Sequence, residues 1–295
     1  MPNIEQHYID SFNTNLELLV QQRGTKLRKS VDESTQEGEG ARVLDQFGES
    51  TTTKNRSSNS DTIYSDTPRD ARWVYPVTYD WNELVDKIDK VKTAVKDPTS
   101  KLMMAGAAAL GRNIDDEISA AYFGDAKTGV RGGTTTSFPA GQQVGVTVGA
   151  GAATGLNFEK ILAGLEILRG NELDMDFEEL YMPISAKQLR NLENEIKVTS
   201  REYNAMYDTT TGKLKMIMGI NLIHSERLPT DSNSYRRVPL YAKSGMHLGV
   251  WSDISGKITP EVPTKNYATQ VHGDCMIGAT RSEEEKVVEI KCSEA

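Results

Sequence analysis

Residues 97–124, DPTSKLMMAGAAALGRNIDDEISAAYFG, constrain this chain more than any other stretch. They predict one long helix over 98–123 with marked ends. Asp97 can cap it, Pro98 suits its first position, and Gly124 can take the left-handed conformation that ends it. Roughly 26 residues at ~1.5 Å each make a rod of about 39 Å. Met103, Ala107, Leu110, Ile114, Ile118 and Ala121 fall on one stripe, while Arg112, Asp115, Asp116 and Ser119 are expected to face away. Gly106 and Gly111 each cost about 1 kcal/mol in a helix interior, so close packing must offset them. Such a rod is something to lie against rather than a place for chemistry.

The flanking segments surround the rod with extensions. Residues 3–22 predict a short amphipathic helix with Ile4, Tyr8, Phe12, Leu16 and Leu19 on one face. The tract 30–70 is polar and rich in Ser, Thr, Gly and charge, a composition that alone cannot offset the entropy of ordering. Val43, Leu44 and Phe47 on one side, and Trp73, Val74, Tyr75 and Val77 on the other, bracket it with strand formers. A long projecting hairpin whose tip needs a neighbour is the expectation. A capping-box pattern at Asp80-Trp81-Asn82-Glu83 predicts a further helix up to the Asp97-Pro98 break.

Beyond residue 150 the pattern is compact α+β. A helix is expected from an Asn157 cap to Gly170, with a buried strand at Leu180–Ile184. A short helix capped by Ser185 follows, then strands at Leu214–Ile223, Val238–Ala242 and Leu248–Trp251. Val271–Thr280 and Val288–Cys292 alternate about a charged turn and predict a terminal hairpin against the rod.

The 295 residues suffice for one large or two modest domains, yet hydrophobic content is only 37% and aromatics 7%. Part of the chain is therefore expected to lie on other molecules. With 34 Lys+Arg against 42 Asp+Glu, the net charge of −8 argues against general affinity for nucleic acid, but not against standing beside it as a wall. The two cysteines, Cys275 and Cys292, lack metal spacing and suit a reducing compartment. The opening MPNIEQHYIDSF lacks signal-peptide character, and no apolar stretch reaches the ~18 residues of a membrane span. A soluble protein, intracellular when made and without a membrane partner, is expected.

Candidate chemistry is sparse. Gly149-Ala-Gly151-Ala-Ala-Thr-Gly155 approaches the dinucleotide fingerprint, with Asp174 and Asp176 some 20 residues on, but its glycine spacing is one residue too long. Asp174-Met-Asp176-Phe-Glu178-Glu179 lacks the glycine and final glutamate of a calcium loop. His7, His224, His247 and His272 never pair at i, i+4, and Asp115, Asp116 and Glu117 splay around their helix. We therefore expect no catalytic residue, no cofactor and no metal. Lys54, Arg56, Arg69 and Arg72 in the projecting tract, with Trp73, are candidate inter-subunit contacts. A solvated loop face would explain the same basic residues.

The order of arm, hairpin, long helix, α+β domain and returning strands resembles the tailed-bacteriophage major capsid protein, the HK97-like fold shared with encapsulin shells. DTPRDARWVYPVTYDWNELVDKID at 66–89, MAGAAALGRNIDDEISAAYFGDAKTG at 104–129, SERLP at 225–229, KNYATQ at 265–270 and IGATRSEEEKVVEIKC at 277–292 carry the likeness. It implies an α+β fold with an N-terminal arm at 1–39 and an extended loop at 40–79 reaching over a neighbouring subunit. A peripheral domain at 80–150 and 261–295 would contain the spine helix 98–123, with an axial domain at 151–260. The implied function is a virion shell of pentamers and hexamers in an icosahedral head around double-stranded DNA, assembled in the bacterial cytoplasm. Its implied partners are itself, a separate scaffolding protein, a portal and possible decoration proteins. Three alternatives stay open: an encapsulin-like nanocompartment, an enzyme using the 145–155 glycine run for a nucleotide, and a monomeric binding module.

Overall fold

A computed structural model describes residues 21–86, 99–195 and 207–294, excepting 49, 53, 55–60, 62–63, 68 and 209–212. The expected helix at 3–22 and the Asp97-Pro98 cap lie essentially outside the described residues. The long helix runs Thr99–Ala121, 23 residues, with Leu110, Ile114 and Ile118 buried as its stripe predicts. The chain divides into two compact units, residues 1–25, 77–114 and 252–276 in one and the remainder in the other.

In the first unit the glycines of the helix are sites of close approach. A Cβ on Gly106 would sit 2.4 Å from the Trp81 ring, and one on Gly111 2.9 Å from the Gly24 backbone. Across the sheet Gly256 meets Met103, and Gly273 meets Leu110. Arg112 holds the entering chain by donating to Gln21 Oε1 at 2.9 Å and to the Gln22 carbonyl at 3.2 Å. Trp81 itself lies on a strand. Over residues 80–85 the expected helix is instead part of Val77–Val85, an edge strand hydrogen-bonded to Ala268–Arg281, which in turn neighbours Met246–Val262; the rest of that expectation, from 87 on, lies outside the described residues. Val, Thr, Tyr and Trp favour the pleated surface, and sheet pairing overrode the local capping signal. Asn82 ties the strand across, accepting from His272 Nδ1 at 2.6 Å and Gln270 Nε2 at 3.1 Å.

The second unit centres on a six-stranded mixed sheet. Its order is Met216–Ile217, Ile220–His224, Leu180–Ile184, Arg236–Ala242, Val287–Cys292, Gln143–Val144. The helix Phe158–Gly170 lays Ile161, Leu165 and Leu168 against it, all fully buried. Asn157 and Ser185 cap their helices as expected. The helix ends at Gly170 as expected, and Glu172 just beyond it takes the left-handed conformation, with φ 59°. Two expectations change. Leu214–Ile223 is broken by Met218 and Gly219, both at positive φ, into short antiparallel strands. The terminal hairpin does not form, because Val287–Cys292 pairs with Arg236–Ala242 over six residues. The alternation of both strands was legible, but their pairing partner was not.

Asp115 and Ser119 are buried rather than facing away. The Asp115 carboxylate accepts from the backbone N–H groups of Lys26, at 2.9 Å, and Leu27, at 3.1 Å. A buried charge is tolerable when it is hydrogen-bonded in this way. Next to it a hydroxyl relay runs from Tyr122 to Tyr241 (3.0 Å), to Ser30 (2.6 Å) and to the Leu27 carbonyl (2.6 Å). These bonds fix the arm where strand Asp32–Thr35 pairs in parallel with residues 247–250. Burial holds the His247 imidazole below its ordinary pKa, beside Ser34 Oγ at 2.7 Å.

Two outcomes follow from this packing. Gly106→Ala, favourable by about 1 kcal/mol at an open helix site, should here destabilise the unassembled subunit by about 1–2 kcal/mol in urea titration, because the added methyl overpacks against Trp81. The depressed His247 pKa means that the folded state binds fewer protons than the unfolded chain. The resulting stability is complete above about pH 6.5 and declines as pH falls toward the folded-state value. His247→Asn should flatten that part of the curve, read as urea midpoints at pH 7.5 and 5.5.

Candidate assembly surface at the root of the hairpin

Ala41–Phe47 and Arg69–Val74 pair antiparallel, with a bulge between Arg42 and Leu44 that adds local twist. They continue through Ala126–Thr128 to Thr134–Thr136 in a four-stranded sheet. The connection between the last two strands carries Gly129, Arg131 and Gly132 at positive φ, and the hairpin holds it. Trp73 Nε1 donates to the Gly129 carbonyl at 2.8 Å, Tyr75 hydroxyl to the Arg131 carbonyl at 2.9 Å, and Gly129 N–H to Asp70 Oδ1 at 3.1 Å. Val130 is thereby displayed at the surface, 89% exposed.

Below this surface the root is locked by buried charge. Arg72, only 5% exposed, donates through both terminal nitrogens to Glu284, at 2.9 and 2.5 Å, and through Nε to Gln46 at 3.2 Å. Glu284 also receives Arg281 at 3.4 Å. The Arg281 guanidinium lies over Phe138 and donates to the Tyr122 and Gly124 carbonyls at the end of the long helix. Cations complement the negative end of a helix. Burial draws the Arg281 pKa down, and Glu284 opposes that shift.

The residues singled out from sequence fare differently. Lys54 and Arg69 are exposed, and Arg69 sits over the Phe47 ring at 5.2 Å. Arg56 lies outside the described residues. Arg72 and Trp73 are engaged within their own chain. Sequence reasoning missed Phe47 as a surface feature, 66% exposed despite its place in a strand, and Val130 with Arg131. A valine between glycines in Gly129-Val130-Arg131-Gly132 was a signal that could have found the latter pair.

The apparent nucleotide run is filled by its own chain. Lys160, fully buried, donates to the carbonyls of Thr154 (2.7 Å), Gly155 (3.0 Å) and Lys291 (3.0 Å). Burial lowers its pKa. The following helix start, which would receive a phosphate, is occupied: Phe158 N–H donates to Glu195 Oε2 at 2.7 Å and Lys160 N–H to Asn157. In the acidic run, Glu178 accepts from Ser244 and Glu179 from Tyr181. Among the described residues no group of three or more His, Cys, Asp or Glu could hold a metal, and no helix is long and apolar enough to cross a membrane.

The phage capsid protein family model matches residues 4–294. The chain belongs to that family. No curated protein matches it. Among solved structures it is similar to the capsid of cyanophage P-SCSP1u, at 15% identity and TM-score 0.75, covering 98% of this chain and 94% of that one. It is similar to the mature capsid of bacteriophage PhiM1, at 12% and 0.69 over 97% and 92%. The cyanophage Pam1 capsid gives 10% and 0.69 over 97% and 96%. The fold is HK97-like, and this phage capsid protein is a structural major capsid subunit of the virion.

Glu284 stands between two buried cations, so Glu284→Gln should cost about 3 kcal/mol of subunit stability. Arg72→Met alone should also destabilise, and adding Glu284→Gln to it should cost less than the two single changes summed. Urea titration of the four proteins measures that coupling.

Proposed function

We propose that this phage capsid protein forms pentamers and hexamers of an icosahedral head around double-stranded DNA, and that the tract between Phe47 and Arg69 is an extended loop lying over a neighbouring copy. The family match over nearly the whole chain carries this reading. A polar tract on a rigid root supports it, since such a segment gains order by folding onto a partner. Within it, Lys54, Arg56 and Arg69 meet acidic surface on the neighbour, while Arg72 and Trp73 hold the root from which it departs. Exposed Phe47 and Tyr64 add apolar contact, as exposed apolar groups at interfaces do.

A scaffolding protein guides closure, a portal occupies one vertex, decoration proteins bind outside, and assembly takes place in the bacterial cytoplasm. The net charge of −8 suits a wall that contains DNA without gripping it.

Negative-stain microscopy of the purified subunit with its scaffold should show closed shells. Arg69→Glu with Phe47→Ser should leave the subunit folded by circular dichroism, yet lower shell yield by about tenfold, the loss of roughly 1.4 kcal/mol. Undiminished shells from that variant would remove the hairpin root from the interface.

A further inference from the structure

The loop after helix Phe158–Gly170 is ordered and presents an aromatic ring to solvent. Leu173 N–H donates to the Leu168 carbonyl at 3.2 Å and Glu172 N–H to the Arg169 carbonyl at 3.0 Å, a Schellman ending with Glu172 left-handed. Asp174 then closes a turn, accepting from Asp176 N–H on its side chain and from Glu178 N–H on its carbonyl, each at 3.2 Å. On this turn Phe177 stands 87% exposed. Glu172, Asp174, Glu178, Glu283 and Glu285 surround it around one hollow, whose only lining cation is Lys286.

A surface of opposite character lies at the hairpin root. A cleft of about 250 Å³ is lined by Trp73 and Val130 and by the guanidinium residues Arg42, Arg69 and Arg131. Arg42 pairs with Asp45, and Arg69 covers Phe47. Arg131 has no acidic partner among the described residues. The one carboxylate of the cleft, Asp70, already accepts from the backbone N–H groups of Ala71 and Gly129. The cleft is therefore apolar inside and cationic at its rim.

We propose that the turn Asp174–Glu178 of one copy docks in this cleft on a second copy, Phe177 against Trp73 and Val130, with its carboxylates facing Arg131 and Arg69. This rests on the shell reading above and names one of its contacts. The knob and the cleft share no residue, so the contact is heterologous and repeats head to tail until a ring closes. Opposite charge sets its register and disfavours cleft against cleft.

The test uses the full chain assembled into shells. Val130→Cys and Phe177→Cys in one chain, treated with a short bis-maleimide, should give a covalent ladder running past dimer to a closed ring. The native thiols are buried and stay silent, Cys275 pushed up to about 11 and Cys292 to about 12. Dimers alone, linkage to another protein, or no linkage within intact shells overturns the contact and leaves the shell reading standing. A chain without substitutions that forms no shells overturns both. Arg131→Glu should lower shell yield by about tenfold, and adding Asp176→Arg should restore most of it. Absence of that rescue also overturns the proposal.

Discussion

Glu284 is held between two guanidinium groups, and much of the second unit depends on that arrangement. Arg72 brings the returning strand of the hairpin to it, and Arg281 connects it to the last carbonyls of the long helix. Neither arginine could be buried without this carboxylate, since an unpaired charge in the interior is far costlier than a paired one. The hairpin therefore leaves the core at a fixed place and direction. A root held only by apolar contacts could slip by one residue and turn every side chain over.

Fixing the root separates two tasks. Folding of the subunit is secured by the six-stranded sheet, the buried Lys160 with its three carbonyls, and the hydroxyl relay through Tyr122, Tyr241 and Ser30. Lys160, Tyr122, Tyr241 and Ser30 are all fully buried. Among the described residues the most exposed of the large apolar groups are Phe47, Tyr64, Val130 and Phe177. Exposed groups of this kind add little to the lone subunit and much to a contact repeated across a shell.

The long helix, the capped helices at Asn157 and Ser185 and the strand Leu180–Ile184 were legible because each is set by local pattern. The run 77–85 was not, since its capping signal competes with edge pairing that only the sheet reveals. Asp115 was misplaced for a related reason: charge suggests solvent, and nothing local indicates that Lys26 and Leu27 will bring their N–H groups to it. Of the site, the basic hairpin residues were visible as a cluster. That Arg72 turns inward to Glu284, 212 positions away, is a long-range fact that no spacing encodes. The recurring runs of sequence indicated the capsid family where local physics alone indicated only a girder with extensions.

The central claim is that a subunit rigid at its root conceals its exposed aromatic knobs only on joining its copies. Hydroxyl-radical footprinting of the free subunit and of the closed shell tests it residue by residue. Phe47, Tyr64 and Phe177 should be oxidised readily in the free subunit and protected several-fold in the shell, while buried Tyr122 and Tyr241 stay protected in both. Equal oxidation of the three exposed rings in the two states would contradict the account.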